Sequence, residues 1–391
     1  MVLTRWGLVV IVTIAGFAAA FNVGKVAPTL LLIRDELKTS LFEMGLVVSS
    51  FSILTMLLAI PVGVLAARVG VYRSALCALA LLGTGALISS QAGSLPALLG
   101  GRVVEGLGYV AIVVSAPALI AMVVAPKDRP VAMGIWATWL PIGIGFMLTI
   151  SPFMIDQGGW RYVWLFTGIF AFCWLLVIGW SFHNQLAKTP QSAYQRGDWK
   201  ILLQRGPLLI TAGFACFSSL FIVAASFLPT VWQQSKGIPV QSTAGMMAFA
   251  ISANALGNLV GGWLISRGFR ASRIMVACFT LPALWGGLAF VDSIPFWGQY
   301  SLAASYMFIC GVIPGAAFAT VPAFAHSPRQ ISLLVGMVFQ GAATGQVMGP
   351  VLFSKIIEFA GGDWNYAICF FVGFALLGGI LMWRIPEPVK P

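Results

Sequence analysis

Three charged residues lie where the chain otherwise carries none. Lys25, Arg102 and Glu105 fall deep inside long apolar runs, and an ionised side chain at the centre of a bilayer costs several kcal/mol (about 2.5–3.5 on insertion scales) unless paired or hydrated. Arg102, Glu105 and Tyr109 follow i, i+3, i+7 spacing and so share one face of a helix, while Asn22 and Lys25 are three apart in the first run. If the three charges meet, two cations face one acid and one net positive charge is left over. Such a cluster suits an anion, a carboxylate above all, with Arg102 offering a planar fork of donors and Lys25 a point charge. Glu105 would hold a cation by pairing until an anion or a proton competes for it. It is the one acid deep in any run, since Asp156 and Glu358 fall near run ends, so Glu105 is the candidate if transport is proton-coupled. Two neighbouring cations nonetheless favour its ionised form and leave facilitated diffusion or anion exchange open. The plainer alternative is a structural pair, Lys25–Glu105 or Arg102–Glu105, that stiffens a bundle.

The elements that must position these residues follow from composition. Of 391 residues, 59% are hydrophobic and 8% charged, with a mean hydropathy of +0.95. A water-soluble surface needs far more charge, so the chain belongs to lipid. Breaks at charges, Gly and Pro leave twelve apolar runs, near 6–33, 43–66, 74–92, 96–125, 131–155, 161–182, 206–234, 242–265, 273–291, 296–325, 331–359 and 364–383. One crossing takes about 20 residues, and these runs are continuous rather than alternating, so each reads as a helix. Arg5 ahead of the first run imitates a signal peptide, but the run is too long for one and is expected to be retained.

The net charge of +11 does not point to nucleic acid, because the basic residues stand singly at run ends with no basic stripe between aromatics. Placing the N-terminus in the cytoplasm leaves only Arg34, Lys38, Arg161, Lys236 and Lys355 of the 22 Lys and Arg on the far side, besides Lys25 and Arg102 within runs. That bias predicts both termini in the cytoplasm of a bacterial inner membrane. The six cysteines sit in apolar runs without a CxxC, and His183 and His326 have no second ligand at helical spacing, so no metal or cofactor is expected.

The longest polar stretch, 183–205, separates two halves, 1–182 and 206–391, that echo each other. Gly158-Gly159-Trp160 opens run six as Gly361-Gly362-Asp363-Trp364 opens run twelve. Arg68-x-Gly70-x-x-Arg73 after run two returns as Arg267-Gly268-x-Arg270-x-x-Arg273 after run eight. Parallel repeats of this kind mark transporters. The stretch Pro61-Val-Gly63 through Arg68, Gly70 and Arg73 resembles the helix 2–3 loop motif of the major facilitator superfamily, and Gly101-Arg102-Val-Val-Glu105-Gly106 resembles its helix 4 motif. Met133-Gly-Ile-Trp136 through Pro141 and Gly143 is similar to permeases of the cyanate-transporter type. The resemblance implies an all-α integral membrane fold, twelve helices in two pseudo-symmetric six-helix bundles, with helices 1, 4, 7 and 10 around a central cavity. It also implies a gating role for Gly63, Arg68, Gly70, Arg73, Arg267 and Arg273. Ala67 departs from the motif, which usually has an aspartate there that helps lock the inner side.

The expected binding residues are Lys25, Arg102, Asn22, Tyr109 and Trp136 in the first half, with Ser218, Phe221, Tyr306 and Gln340 in the second. The second half lacks deep charge, so it is expected to pack an apolar body while the first grips an anionic head. Gly341, Gly345 and Gly349 suit close helix packing, and Asn254 and Asn258 suit hydrogen bonds between helices. An enzyme would need a catalytic constellation, a channel would need rings of like groups, and ATP drive would need a P-loop, none of which is present. The reading is a monomeric secondary transporter, in lipid and without nucleic acid, that moves a small organic anion by alternating access, with proton coupling left open. Its alternative is a facilitator or exporter of a neutral or amphipathic molecule, the buried charges then being structural or proton-handling.

Overall fold

The computed structural model describes residues 4–186 and 198–386, and among these residues there is no strand. The first half holds α1 (Trp6–Gly24), α2 (Val26–Leu37), α3 (Leu41–Val69), α4 (Val71–Ser90), α5 (Leu95–Val123), α6 (Arg129–Ala137) and α7 (Trp139–Leu186). The second holds α8 (Arg205–Lys236), α9 (Val240–Ser266), α10 (Ala271–Thr280), α11 (Ala283–Leu288), α12 (Phe296–Thr320), α13 (Pro328–Phe359) and α14 (Ala367–Trp383). Of the polar stretch between the halves, Lys188, Pro190 and Arg196 lie outside the described residues, and Asp198–Leu203 forms a 3-10 turn.

Three of the apolar runs are broken helices. The first run parts into α1 and α2 at Lys25, where Pro28 has no N–H to give the Gly24 carbonyl. The fifth parts at Thr138, and the ninth at Leu281 and Pro282. The opposite happens in α7, whose 48 residues would reach about 72 Å as one rod, more than twice the hydrocarbon thickness. Gly158 and Gly159 interrupt it, Gly159 at φ 67 and ψ −169, a conformation open essentially to glycine alone. Eleven described stretches are long and apolar enough to cross a membrane. The one that runs through this break holds two crossings, which makes twelve.

By packing, the described residues divide into two compact units. The first comprises Met1–Pro126, Trp139–Leu202 and Ala325–Gln340; the second comprises Lys127–Thr138, Leu203–Phe324 and Gly341–Pro391. Each unit thus includes a helical segment from the other half of the sequence. In the first, α13 passes α3 so closely that a Cβ on Gly63 would lie 3.0 Å from the Ser332 oxygen. In the second, α6 passes α9, and a Cβ on Gly262 would lie 2.8 Å from Gly134 Cα. Gly63 and Gly262 each stand five residues before the arginine that opens the repeated loop motif, Arg68 or Arg267. The internal repeat therefore extends from loop motif to helix contact. The Gly341–Gly345–Gly349 row packs on α8 as its spacing suggests, with the Thr211 and Ala215 oxygens 2.5 and 2.2 Å from where Cβ atoms would stand on Gly341 and Gly345.

Candidate functional site

The three deep charges meet inside the first unit. Lys25 Nζ donates to Glu105 Oε1 at 2.8 Å, to Asn22 Oδ1 at 2.6 Å and to Thr167 Oγ1 at 3.2 Å, which uses all three of its donors. Arg102 Nη1 donates to Glu105 Oε2 at 2.5 Å and to the Asn22 carbonyl at 3.1 Å. Arg102 Nε donates to the Val47 carbonyl at 3.2 Å and to Ser50 Oγ at 3.3 Å. Arg102 Nη2 is buried and has no hydrogen-bond partner. The relative exposures of Lys25, Arg102 and Glu105 are 0, 1 and 1%, so in this conformation the cluster is closed from outside solvent within the bundle. Two cations share one carboxylate, as the residue types imply, and a single guanidinium nitrogen is left over.

Local sequence explains the placement. The break at Lys25 lets its ammonium and the Asn22 carbonyl face α5 together. On α5, i,i+3 spacing joins Arg102 to Glu105. Helix α4 supports the carboxylate from behind, because a Cβ on Gly85 would lie 2.6 Å from Glu105 N and 2.8 Å from its Cγ. Gly85→Ala should therefore push α4 from α5 and displace Glu105. The expected result is a stability loss of about 1–3 kcal/mol in chemical unfolding, together with a drop in transport; an unaltered protein would show that α4 does not fix the acid.

The other expected site residues are distributed unevenly. Tyr109 lies in the first unit one turn beyond Glu105, buried between Phe51 (5.4 Å between ring centroids) and Trp139 (6.0 Å). Gln340 closes the α13 segment of the same unit, whereas Trp136, Ser218, Phe221 and Tyr306 belong to the second. There Phe221 stacks on Phe217 at 6.0 Å, and Tyr306 meets Phe371 edge-on at 5.5 Å. Asn254 Nδ2 donates across to the Met307 carbonyl on α12 at 3.0 Å, the interhelical use expected of it, while Asn258 Nδ2 bonds back to Asn254. Sequence reasoning missed Thr167 and Trp164. Both sit on the far half of α7, three apart on one face, which was the only signal available.

Beyond the cluster, α2 ends in a clasp. Trp160 Nε1 donates to Glu36 Oε2 at 2.7 Å, Arg161 pairs with Glu36 Oε1, and Arg161 Nη2 donates to the Ala92 carbonyl at 2.7 Å. The Trp160 hydrogen bond, and then Arg161, hold the Glu36 carboxyl below the usual carboxylate range. A depressed folded-state value means that the clasp contributes fully above the ordinary carboxylate pKa and is lost as pH falls through the lowered value. Thermal midpoints should accordingly fall more on acidification in the parent than in Glu36→Gln, and parallel curves would count against the clasp.

Residues 12–329 match the family model described as Major Facilitator Superfamily. The chain belongs to the Major Facilitator Superfamily. It is therefore an integral membrane protein and a secondary transporter rather than an enzyme. Among proteins similar to it is the "Probable sulfoacetate transporter SauU" of Cupriavidus necator, 22% identical over 383 residues, covering 91% of this chain and 87% of that one. Two superfamily structures share its fold. One is the proton:xylose symporter XylE bound to 6-bromo-6-deoxy-D-glucose, with a TM-score of 0.81 at 14% identity, covering 98% of this chain and 96% of that one. The other is the human organic anion transporter MFSD10, with a TM-score of 0.71 at 17% identity, covering 96% of this chain and 98% of that one.

Proposed function

We propose that the chain carries a small organic anion, a carboxylate or sulfonate, across a bacterial inner membrane, with both termini in the cytoplasm. The observation that carries this reading is the excess of two cations over one acid, with Arg102 Nη2 as an unused buried donor. An anionic oxygen at that nitrogen would neutralise the cluster's leftover charge, and could displace Glu105 from Arg102 while Lys25 keeps the acid. The "Probable sulfoacetate transporter" among its relatives and the organic anion transporter among its structural neighbours support the same class.

In this reading Arg102 takes the head group through Nη2, and Lys25 and Asn22 complete the head-group site, Lys25 by its charge and Asn22 by holding both cations. Tyr109, Trp136, Ser218, Phe221, Tyr306 and Gln340 pack the rest. The bodies 1–182 and 206–391, joined by 183–205, rock in alternating access as a monomer, with Gly63, Arg68, Gly70, Arg73, Arg267 and Arg273 at the gate. Glu105 is the group through which protons would couple, by exchanging a cation for a proton.

The test is proteoliposome uptake of a panel of small anions, sulfoacetate and acetate included, with and without a pH gradient. The parent should take up at least one of them, Lys25→Ala and Arg102→Ala should lose uptake, and Glu105→Gln should lose its response to the gradient. Uptake unchanged in all three variants would overturn the site. The closure of all three charges from solvent favours a second reading, in which the cluster only braces the bundle and the cargo is neutral or amphipathic. Transport of neutral amphiphiles but of no anion would select it.

A further inference from the structure

The ion cluster has one partner that the pairing above leaves out. Trp164 is fully buried, and its ring centroid lies 4.1 Å from Lys25 Nζ and 5.6 Å from Arg102 Cζ. Its edge is used as well: Nε1 donates to Thr29 Oγ1 at 3.2 Å, and Thr29 Oγ1 donates to the Lys25 carbonyl at 2.7 Å. One side chain thus fastens the break in the first membrane helix and covers both cations. Trp160 backs it edge-on at 5.9 Å and 86°, and Phe21, Val47, Leu98 and Met147 complete the apolar shell. A cation over an aromatic face is held by the ring quadrupole, and most strongly where water is excluded.

What the ring contributes depends on Glu105. While the acid is ionised, each cation already has a carboxylate oxygen. Once a proton neutralises it, or an anion takes its place at Arg102, the ring is a partner that does not change. We propose that Trp164 is a positioning residue of the anion site, its indole face keeping Lys25 and Arg102 in place while Glu105 changes partner. This rests on the anion reading above and adds to it a residue on α7, a helix that reading does not use.

Two measurements on the full chain test it, and the first needs no substrate. Thermal unfolding is compared for Trp164→Phe and Trp164→Leu, each in the parent and in the Glu105→Gln background. A reserve partner matters more when the acid is neutral, so Trp164→Leu should lower the midpoint further in Glu105→Gln than in the parent, and Trp164→Phe should recover most of that extra loss. Additive losses, or Phe no better than Leu, overturn the proposal. The second is uptake of sulfoacetate, or of whichever panel anion the parent carries, by the single Trp164 variants, so it does not depend on Glu105→Gln folding. Trp164→Phe should stay within about threefold of the parent's half-saturation, and Trp164→Leu should raise it about tenfold or more at an unchanged maximal rate. Equal half-saturation in the two variants overturns the proposal. A parent that carries no anion sinks the proposed function instead, and the thermal comparison then decides the role of Trp164 alone.

Discussion

Glu105→Ala should destabilise the protein by about 3–5 kcal/mol, the largest effect of any single substitution in the cluster. The loss does not come from the pair's attraction alone. It comes from leaving Lys25 and Arg102, at 0 and 1% exposure, as buried like charges with no acid between them. Lys25→Met should cost less. It leaves the Arg102–Glu105 pair neutral as a unit, and what is lost is the donor to Asn22 Oδ1 and to Glu105 Oε1, whereas Thr167 Oγ1 still donates to the Trp164 carbonyl. Each buried acceptor left without a donor costs about 1–3 kcal/mol, but the Glu105 charge keeps its counter-ion in Arg102. Arg102→Leu should fall between the two, because it leaves the Lys25–Glu105 pair intact yet strips donors from three acceptors, Glu105 Oε2 and the Asn22 and Val47 carbonyls. Chemical unfolding of the three variants in one detergent gives the order directly. Lys25→Met as harmful as Glu105→Ala would mean that shape, not charge balance, governs the cluster.

The parts of this architecture that were legible are those where lipid leaves no choice. A charge within an apolar run must find a partner, so Lys25, Arg102 and Glu105 announced one another, and Asn22 came with them through its spacing. Crossing number was legible for the same reason, since backbone polar groups in hydrocarbon must be satisfied within the helix. Trp164 was not. An aromatic residue in an apolar run looks like filler, and with 14 Trp and 28 Phe in the chain nothing in its type sets it apart. Its role comes from lying over Lys25, a contact between residues 139 positions apart. The break at Lys25 had a visible cause in Pro28, but hydropathy continues unbroken from 6 to 33 and hides it. Trp136 shows a further limit. Its motif places it in the first half, yet packing places it in the second unit, because 127–138 crosses over to α9. Such an exchange belongs to tertiary contact and leaves no local trace.

Gly257→Leu should prevent the second unit from assembling, and even Gly257→Ala should cost about 1–3 kcal/mol or more. Helices α9 and α12 meet there backbone to backbone. A Cβ on Gly257 would lie 2.0 Å from the Phe308 oxygen, and on the facing helix Cβ atoms on Gly311 and Gly315 would lie 2.2 and 2.1 Å from the Asn254 and Asn258 oxygens. These neighbours are main-chain atoms, which cannot turn aside as a flexible side chain would, so an added methyl must part the helices. Parting them also stretches the 3.0 Å hydrogen bond from Asn254 Nδ2 to the Met307 carbonyl. Because lipid offers no hydrophobic drive to bring helices together, close packing and such bonds are what hold them. Gly373 on α14 is the internal control. A Cβ there meets nothing within 4 Å, so Gly373→Ala should be neutral or gain up to about 1 kcal/mol from helix propensity. Monodisperse yield and thermal midpoint in detergent separate the two cases. Similar behaviour of Gly257→Ala and Gly373→Ala would mean that the α9–α12 contact yields without cost.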